Sequence, residues 1–238
     1  MRVIQISDIH IPHEVEKTHD IPIRENFSRI LTSIATLQYD ALVFTGDLAY
    51  KEGSAAIYQY IKQELSSISK PIFHIPGNHD SPELFAPFFL ENASSSILYY
   101  KKTVQNKTFL FLDTSQNYID AAQIAWLKTE LMTMQDLVIF MHHPPCYCGV
   151  EYMDTHHALQ NQEEILSVLH AHQHTISVFC GHYHHAKEII SKNVHVHICP
   201  STYYQINPVG LQFAIGSKEI GFRLISFSST IKTEVIWI

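Results

Sequence analysis

Seven residues of the types that bind metal ions follow directly after five apolar segments of this 238-residue chain. They are Asp8, His10, Asp47, Asn78, His142, His182 and His184. The five segments are short and rich in β-branched residues, which predicts that each is a strand. Because the carboxyl ends of strands in an open α/β sheet meet at one crevice, we expect the seven side chains to converge there.

The seven donors combine imidazole nitrogen with carboxylate and amide oxygen, and they include no thiolate. Such a set suits manganese, iron or zinc better than magnesium or calcium. Seven donors exceed what one ion can use, so the sequence predicts two divalent metal ions per chain. Paired hydrolytic ions lie about 3.5–4 Å apart and need a bridging carboxylate. Asp47, which follows Gly46 on a tight turn, is the predicted bridge.

The charge of such a site indicates its chemistry. Two divalent ions bring four positive charges, and Asp8 and Asp47 remove two of them. The remaining positive charge favours a hydroxide and an anionic phosphoryl oxygen. A leaving alkoxide also needs a proton, and His79, next to Asn78, is the predicted general acid. Asp80 is expected to orient His79 from behind.

The elements that must position these residues alternate between strands and helices. Helical periodicity is found at Phe27–Leu37, Ile57–Leu65 and Ile124–Leu131, with a less regular helix at Gln162–His172 and Ser54 as a predicted N-cap. The last third reads mainly as strands. The predicted strands are Arg2–Ser7, Ala41–Thr45, Pro71–Ile75, Thr108–Leu112, Leu137–Met141, Ile176–Cys180, Lys187–Ile190, Val194–Cys199, Gly221–Phe227 and Ile231–Trp237. We therefore predict one α/β or α+β layered domain over residues 1–238.

Composition narrows the class of protein further. The chain is 46% hydrophobic and 16% charged, with a net charge of −7 and 17 histidines. Its longest apolar runs are far below the roughly 18 residues that a membrane-spanning helix needs. With 16 basic residues and no basic stripe, a nucleic-acid partner is not expected. The start of the chain lacks the pattern of a signal peptide, and the four cysteines form no CxxC pair, so we expect a cytoplasmic protein.

Two features leave alternatives open. Tyr147, Tyr152 and Tyr203 lie near the motifs and could stack on a base, although ordinary amphipathic packing is the better interpretation of each. The apolar C-terminus, Val235–Ile238, could be buried in the core or could pair across a homodimer.

The ordered motifs resemble those of the calcineurin-like binuclear metallophosphoesterases. The features that carry the resemblance are Asp8-x-His10, Gly46-Asp47, Gly77-Asn78-His79-Asp80, His142-His143-Pro144-Pro145, Gly181-His182-x-His184, Pro200-Ser201-Thr202 and Gly221-Phe222-Arg223. Together they are similar to the class III cyclic-nucleotide phosphodiesterases of the CpdA (Icc) type. The resemblance implies a four-layer αββα sandwich, in which two facing mixed β-sheets are flanked by helices. It also implies one metal held by Asp8, His10, Asp47 and His184, and a second held by Asp47, Asn78, His142 and His182.

The resemblance further implies a substrate and an activity. A metal-bridging hydroxide would hydrolyse a small phosphodiester, with 3′,5′-cyclic AMP as the first candidate. Another small phosphodiester or monoester, such as a glycerophosphodiester or a 2′,3′-cyclic nucleotide, stays open, as does a non-catalytic metal-binding interaction scaffold. Relatives carry Leu-Arg-Asn where this chain has Leu159-Gln160-Asn161. The residues expected to touch substrate are Asn78, His79, His143, Asn161 and His185.

Overall fold

The computed structural model describes residues 1–13, 16, 18–91, 96–135 and 137–238. The strands of these residues are β1 Arg2–Ile6, β2 Ala41–Thr45, β3 Ile72–Ile75, β4 Tyr100–Val104, β5 Lys107–Phe111, β6 Leu137–Phe140, β7 Ile176–Cys180, β8 Lys187–Ser191, β9 Val194–Ile198, β10 Gln205–Ile206, β11 Ile215–Ser217, β12 Gly221–Phe227 and β13 Ile231–Trp237. The helices are α1 Ile23–Ile34, α2 Ala55–Glu64, α3 Pro82–Phe89, α4 Ala121–Thr133, α5 Glu151–His156 and α6 Gln162–His170.

The strands form two large mixed sheets and a short hairpin. The first sheet has the order β13-β12-β1-β2-β3, in which β1, β2 and β3 run parallel. The second has the order β4-β5-β6-β7-β9-β8, with parallel pairing from β5 through β9 and antiparallel strands at both edges. Strands β10 and β11 form the hairpin. The carboxyl ends of the parallel strands therefore lie at one edge of each sheet.

Alternating side chains along the strands build the layers. In β1 and β2, Val3 and Val43 face a core between the two sheets, whereas Ile4 and Leu42 pack in the core beneath the helices. The inter-sheet core also contains aromatic residues of the second sheet, including Phe140. A third core packs under helices α4 and α6. The predicted αββα sandwich of two facing sheets flanked by helices is confirmed.

Every predicted strand is found, with boundaries within one residue of those expected. Ser54 caps α2 as predicted, since its hydroxyl accepts a hydrogen bond from Ile57 N at 3.3 Å. The fourth predicted helix ends at His170 rather than at His172. Three strands and two helices were not predicted from the sequence: β4, β10, β11, α3 and α5. Strand β4 is a polar edge strand, α3 contains Pro82 and Pro87, and α5 is only six residues long, so none has a strong pattern.

The C-terminal strand β13 pairs with β12 over seven residues and forms an edge of the first sheet. Ile236 and Ile238 pack against the first core, whereas Trp237 is 45% exposed. Homodimer formation through this edge stays a prediction. In the part of the chain that the structure describes, no helix combines the length and the apolar character needed to cross a membrane.

Candidate metal centre and active site

Six of the seven predicted ligands lie together at the carboxyl ends of the strands. Their donor atoms form two groups, and within each group all atoms lie within 4.8 Å of one another. The groups are Asp8, His10, Asp47 and His184, and Asp47, His142 and His182. Asp47 belongs to both, as expected of a bridging ligand, and all six residues are buried. Two adjacent buried donor groups fit two metal ions.

The donor atoms are crowded. Nε2 of His10 lies 2.9 Å from Nε2 of His184, and the latter lies 3.4 Å from Asp8 Oδ1. In the second group, His142 Nε2 lies 3.3 Å from Asp47 Oδ1. These spacings bring lone-pair donors face to face, which is the arrangement that a cation between them would stabilise.

Backbone carbonyls fix the orientation of the histidine rings. The Nδ1 atoms of His10, His142 and His184 lie 3.2, 2.7 and 3.1 Å from carbonyl oxygens. The three carbonyls belong to Ala49, Thr45 and Tyr204. Since a carbonyl only accepts hydrogen bonds, Nδ1 carries the proton in each neutral ring and the Nε2 lone pair faces the cluster.

His182 is oriented in the opposite sense. Its Nε2 lies 2.8 Å from the carbonyl oxygen of His157, so Nε2 carries the proton and Nδ1 is the free donor. The His182 backbone N–H also donates to both carboxylate oxygens of Asp8, at 3.1 and 3.0 Å. His182 therefore connects the second donor group, to which it belongs, to Asp8 of the first.

Asn78 completes the predicted ligand set. Its amide Oδ1 is buried and has no hydrogen-bond partner within the described chain. Buried polar atoms without partners are rare and indicate a ligand that is not part of the chain. Asn78 lines the same cavity as Asp47 and His182, which fits the resemblance-based assignment of these three residues to one ion.

The electrostatics of the cluster attract positive charge. Burial opposes ionisation of His142, yet the carboxylates of Asp47 and Asp8 raise its pKa to about 9. Burial lowers the pKa of His10 and of His182 to about 3, so both rings are neutral and able to donate a lone pair. The pKa of Asp47 is held well below its usual range by nearby histidines in spite of its burial, chiefly His142.

The backbone at the site is unusual. Five of the seven predicted ligands have a left-handed conformation, with φ between 43° and 67°. These five are Asp8, His10, Asp47, His182 and His184. Residues other than glycine rarely adopt this conformation, and those that do concentrate at functional sites. This left-handed conformation directs the ligand side chains of the loops toward the two donor groups.

Two glycines allow the loops to approach the carboxylates. A Cβ atom on Gly77 would collide with Oδ1 and the backbone N of Asp47, and one on Gly181 would lie 2.6 Å from Asp8 Oδ2. Glycine at these two positions lets the backbone approach the carboxylates where no other residue would fit.

His79 lies at the mouth of the site, outside both donor groups. Its side chain is 37% exposed, and its Nε2 lies 3.9 Å from Asp47 Oδ2. Its Nδ1 lies 3.1 Å from the carbonyl oxygen of Lys51, so Nδ1 carries the proton in the neutral ring and Nε2 is the atom that exchanges protons. The general-acid role of His79 stays a prediction.

The expected contact between Asp80 and His79 is wrong. In the described chain, the hydrogen bonds of the Asp80 carboxylate come from the backbone N–H groups of Leu48, Ala49 and Gly77 and from the hydroxyl of Tyr58. The ring of His79 is instead oriented by the Lys51 carbonyl. The buried Asp80 carboxylate therefore fixes the loop that carries Asp47.

Of the predicted substrate contacts, Asn78 and His79 line the cavity above the metal groups, which has a volume of about 320 Å³. Asn161, His143 and His185 are not among the described residues that line it. Asn161 instead uses its amide to bind both backbone groups of Ile119, at 3.2 and 2.9 Å. His143 is fully buried, with Nδ1 2.8 Å from Thr114 Oγ1.

Aromatic residues form much of the cavity wall. Sequence analysis singled out Tyr152 and Tyr203, both of which line it. It also singled out Tyr147, which is exposed and lies outside the lining. It missed Tyr50, Tyr204 and Phe213. Of these, only Tyr204 carried a signal, since it neighbours Tyr203 after the Pro200-Ser201-Thr202 motif.

Comparisons with known proteins agree with this geometry. Residues 1–186 match the calcineurin-like phosphoesterase family. A protein of Fibrobacter succinogenes, named a probable cyclic nucleotide phosphodiesterase, is 31% identical over 230 residues, which cover 95% of this chain and 90% of the relative. The 3′,5′-cyclic adenosine monophosphate phosphodiesterase CpdA of Escherichia coli K12 is 27% identical, with 99% of this chain and 89% of the relative covered.

A solved structure has the same fold. The dimetal phosphatase of Danio rerio superposes with a TM-score of 0.71 at 16% identity, covering 100% of this chain and 98% of that chain. The family match over residues 1–186 and the 31% identical relative agree with the αββα sandwich and its donor groups. The chain belongs to the calcineurin-like phosphoesterase family.

Proposed function

We propose that this protein is a metal-dependent phosphodiesterase that hydrolyses a small cyclic nucleotide, with 3′,5′-cyclic AMP as the first candidate. The observation that carries the proposal is the pair of buried donor groups that share Asp47, with His79 exposed at their mouth. The named activities of the Fibrobacter and Escherichia relatives support the phosphodiester and the cyclic nucleotide.

The residues divide between the two proposed ions as the resemblance implies. Asp8, His10, Asp47 and His184 would hold one ion, and Asp47, Asn78, His142 and His182 the other. Manganese, iron or zinc suits this mixture of nitrogen and oxygen donors. When bound, two such ions lower the pKa of water and withdraw charge from the phosphoryl oxygens.

His79 supplies the proton that the leaving ribose oxygen needs. Acid catalysis needs the imidazolium form of the ring, in which Nδ1–H donates to the Lys51 carbonyl and the Nε2 proton is the one released into the cavity. General acid catalysis by a positioned side chain contributes about 10²–10⁴-fold to a rate. Asp80 has no part in this transfer and acts through the Asp47 loop.

Two measurements test the function. Protein reconstituted with Mn²⁺ is assayed against bis(p-nitrophenyl) phosphate and against cyclic AMP, and its metal content is measured by mass spectrometry. We expect two ions per chain and turnover of both substrates. Turnover of bis(p-nitrophenyl) phosphate alone would rule out cyclic AMP as the substrate. Turnover of neither compound would rule out the proposed phosphodiesterase activity.

We further propose that residues 1–238 act as one domain in the cytoplasm. The four cysteines are all free and buried, as expected where thiols stay reduced.

A further inference from the structure

We propose that Phe213, Tyr152 and Tyr204 form a ring-binding subsite, which stacks on the base of a nucleoside attached to the phosphate. The proposal rests on the phosphodiesterase function. It identifies the part of the site that recognises the group esterified to the phosphate. It makes Phe213 a specificity-determining residue.

A continuous series of ring contacts leads from the metal groups to this subsite. The ring of Tyr204 lies 5.0 Å from that of His184 and 5.8 Å from that of Phe213. The ring of Phe213 lies in turn 5.7 Å from that of Tyr152. All four side chains line the cavity that contains His79. A phosphate held at the donor groups would therefore place its ester substituent within reach of this wall.

Phe213 is the exposed member of the wall. It keeps 42% of its surface exposed, and its contacts with Tyr152 and Tyr204 are both edge-on, at 64° and 68°. A planar ligand that stacked on this ring would remove its exposed apolar face from water.

The wall is held rigidly. Phe213 lies in the loop between β10 and β11, which is closed by a hydrogen bond from Asn207 N to Ala214 O at 2.9 Å. The loop is fixed to helix α5, since Glu151 N donates to Pro208 O at 3.0 Å and Gly210 N donates to the Glu151 carboxylate at 2.6 Å. Tyr152 follows Glu151 on α5, so the two sides of the wall are set before any ligand binds, which lowers the entropic cost of stacking.

The chemistry of the wall favours a planar ring over a flexible polar head group. Two further residues that line the cavity, Met153 and Ile206, are apolar. The hydroxyl of Tyr152 already pairs with His157 Nε2 at 3.2 Å. A glycerol substituent has no ring to stack here, whereas every nucleobase has two flat faces.

The test compares two ligands that differ only in the base. Binding of adenosine 5′-monophosphate and of ribose 5-phosphate to Mn²⁺-loaded protein is measured by isothermal titration calorimetry, in the wild type and in Phe213→Ala. We expect the variant to lose about 5- to 150-fold in affinity for the nucleotide, the range found for removal of one stacking partner, and to bind ribose 5-phosphate as the wild type does. Phe213→Trp should keep the nucleotide affinity.

Leu211→Ala is the matched control. Leu211 is 63% exposed on the same loop but does not line the cavity among the described residues, so both affinities should stay unchanged. An equal loss of both ligands in Phe213→Ala, or no loss of either, would overturn the subsite. Tyr152→Ala removes a second ring of the subsite, and a circular dichroism spectrum confirms that this variant folds. Absence of bis(p-nitrophenyl) phosphate turnover in the wild type would instead count against the phosphodiesterase, and the binding ratio does not depend on that assay.

Discussion

Replacement of Asp80 by alanine should weaken metal binding and stability together, because of where its four hydrogen bonds go. The buried carboxylate accepts from Leu48 N, Ala49 N, Gly77 N and Tyr58 OH at 2.9–3.2 Å. Burial raises the pKa of the Asp80 carboxyl to about 6, so above pH 7 the group is ionised and only accepts.

The magnitude follows from the donors left behind. A buried donor that loses its partner costs about 1–3 kcal/mol, so four donors give a loss of at least about 4 kcal/mol in the free energy of unfolding. Native domains have about 5–15 kcal/mol in total. Leu48 directly follows Asp47, so the same change releases the loop that carries the shared carboxylate. We expect a fall in Mn²⁺ affinity that accompanies the loss of stability.

The assay is urea unfolding of metal-free protein at pH 8, together with a calorimetric Mn²⁺ titration. Tyr58→Phe is the matched control, because it removes one of the four donors and also the acceptor for Ser81 N. It should cost about 1–2 kcal/mol and leave Mn²⁺ affinity near that of the wild type. If Asp80→Ala bound Mn²⁺ normally and lost only kcat, Asp80 would act on His79 and the loop-anchoring role would be refuted.

Three further changes test other parts of the site and fold. His79→Ala should keep two ions per chain and lose about 10²–10⁴-fold in kcat on cyclic AMP. The loss on bis(p-nitrophenyl) phosphate should be smaller, because its leaving group needs no proton. Equal losses on both substrates would contradict the general-acid role of His79. Gly77→Ala should abolish Mn²⁺ binding, measured by calorimetry, because its Cβ collides with Asp47; normal binding would contradict this. Burial lowers the pKa of His74 to about 3, so the unfolded chain binds a proton that the folded chain does not, and stability falls as pH drops from 6.5 toward 3. His74→Phe should remove about 2 kcal/mol of the loss between pH 8 and pH 5 in urea unfolding; equal slopes in His74→Phe and wild type would contradict this.

The metal donors could be predicted from sequence because each follows a strongly patterned strand. Apolar strands such as Ala41–Thr45 and Ile176–Cys180 are recognisable on their own, and parallel topology brings their carboxyl ends to one edge. The position of His79 beside the donor groups could be predicted from its neighbour Asn78 in the same way. These are local signals that the fold then combines.

The partners of Asp80 and the aromatic wall could not be predicted in this way. Asp80 binds mainly backbone N–H groups, which every residue carries, so its sequence position beside His79 favoured the wrong partner. Phe213 reaches the site only because Glu151 of a six-residue helix holds the loop of a very short hairpin. Elements of this size have no periodicity, and tertiary contacts alone determine them.

The strained ligand residues persist because the two sheets determine their positions together. Gln5, buried between the sheets, donates both to Thr45 Oγ1 of the first sheet at 3.0 Å and to Cys180 O of the second at 2.9 Å. Directly above it, Asp8 N donates to Gly46 O, and the Asp8 carboxylate accepts from His182 N. Each left-handed residue costs of order 1–3 kcal/mol and needs surroundings that over-determine it. Hydrogen bonds between loops of opposite sheets provide that constraint, so the donor geometry is a property of the whole sandwich rather than of any one loop.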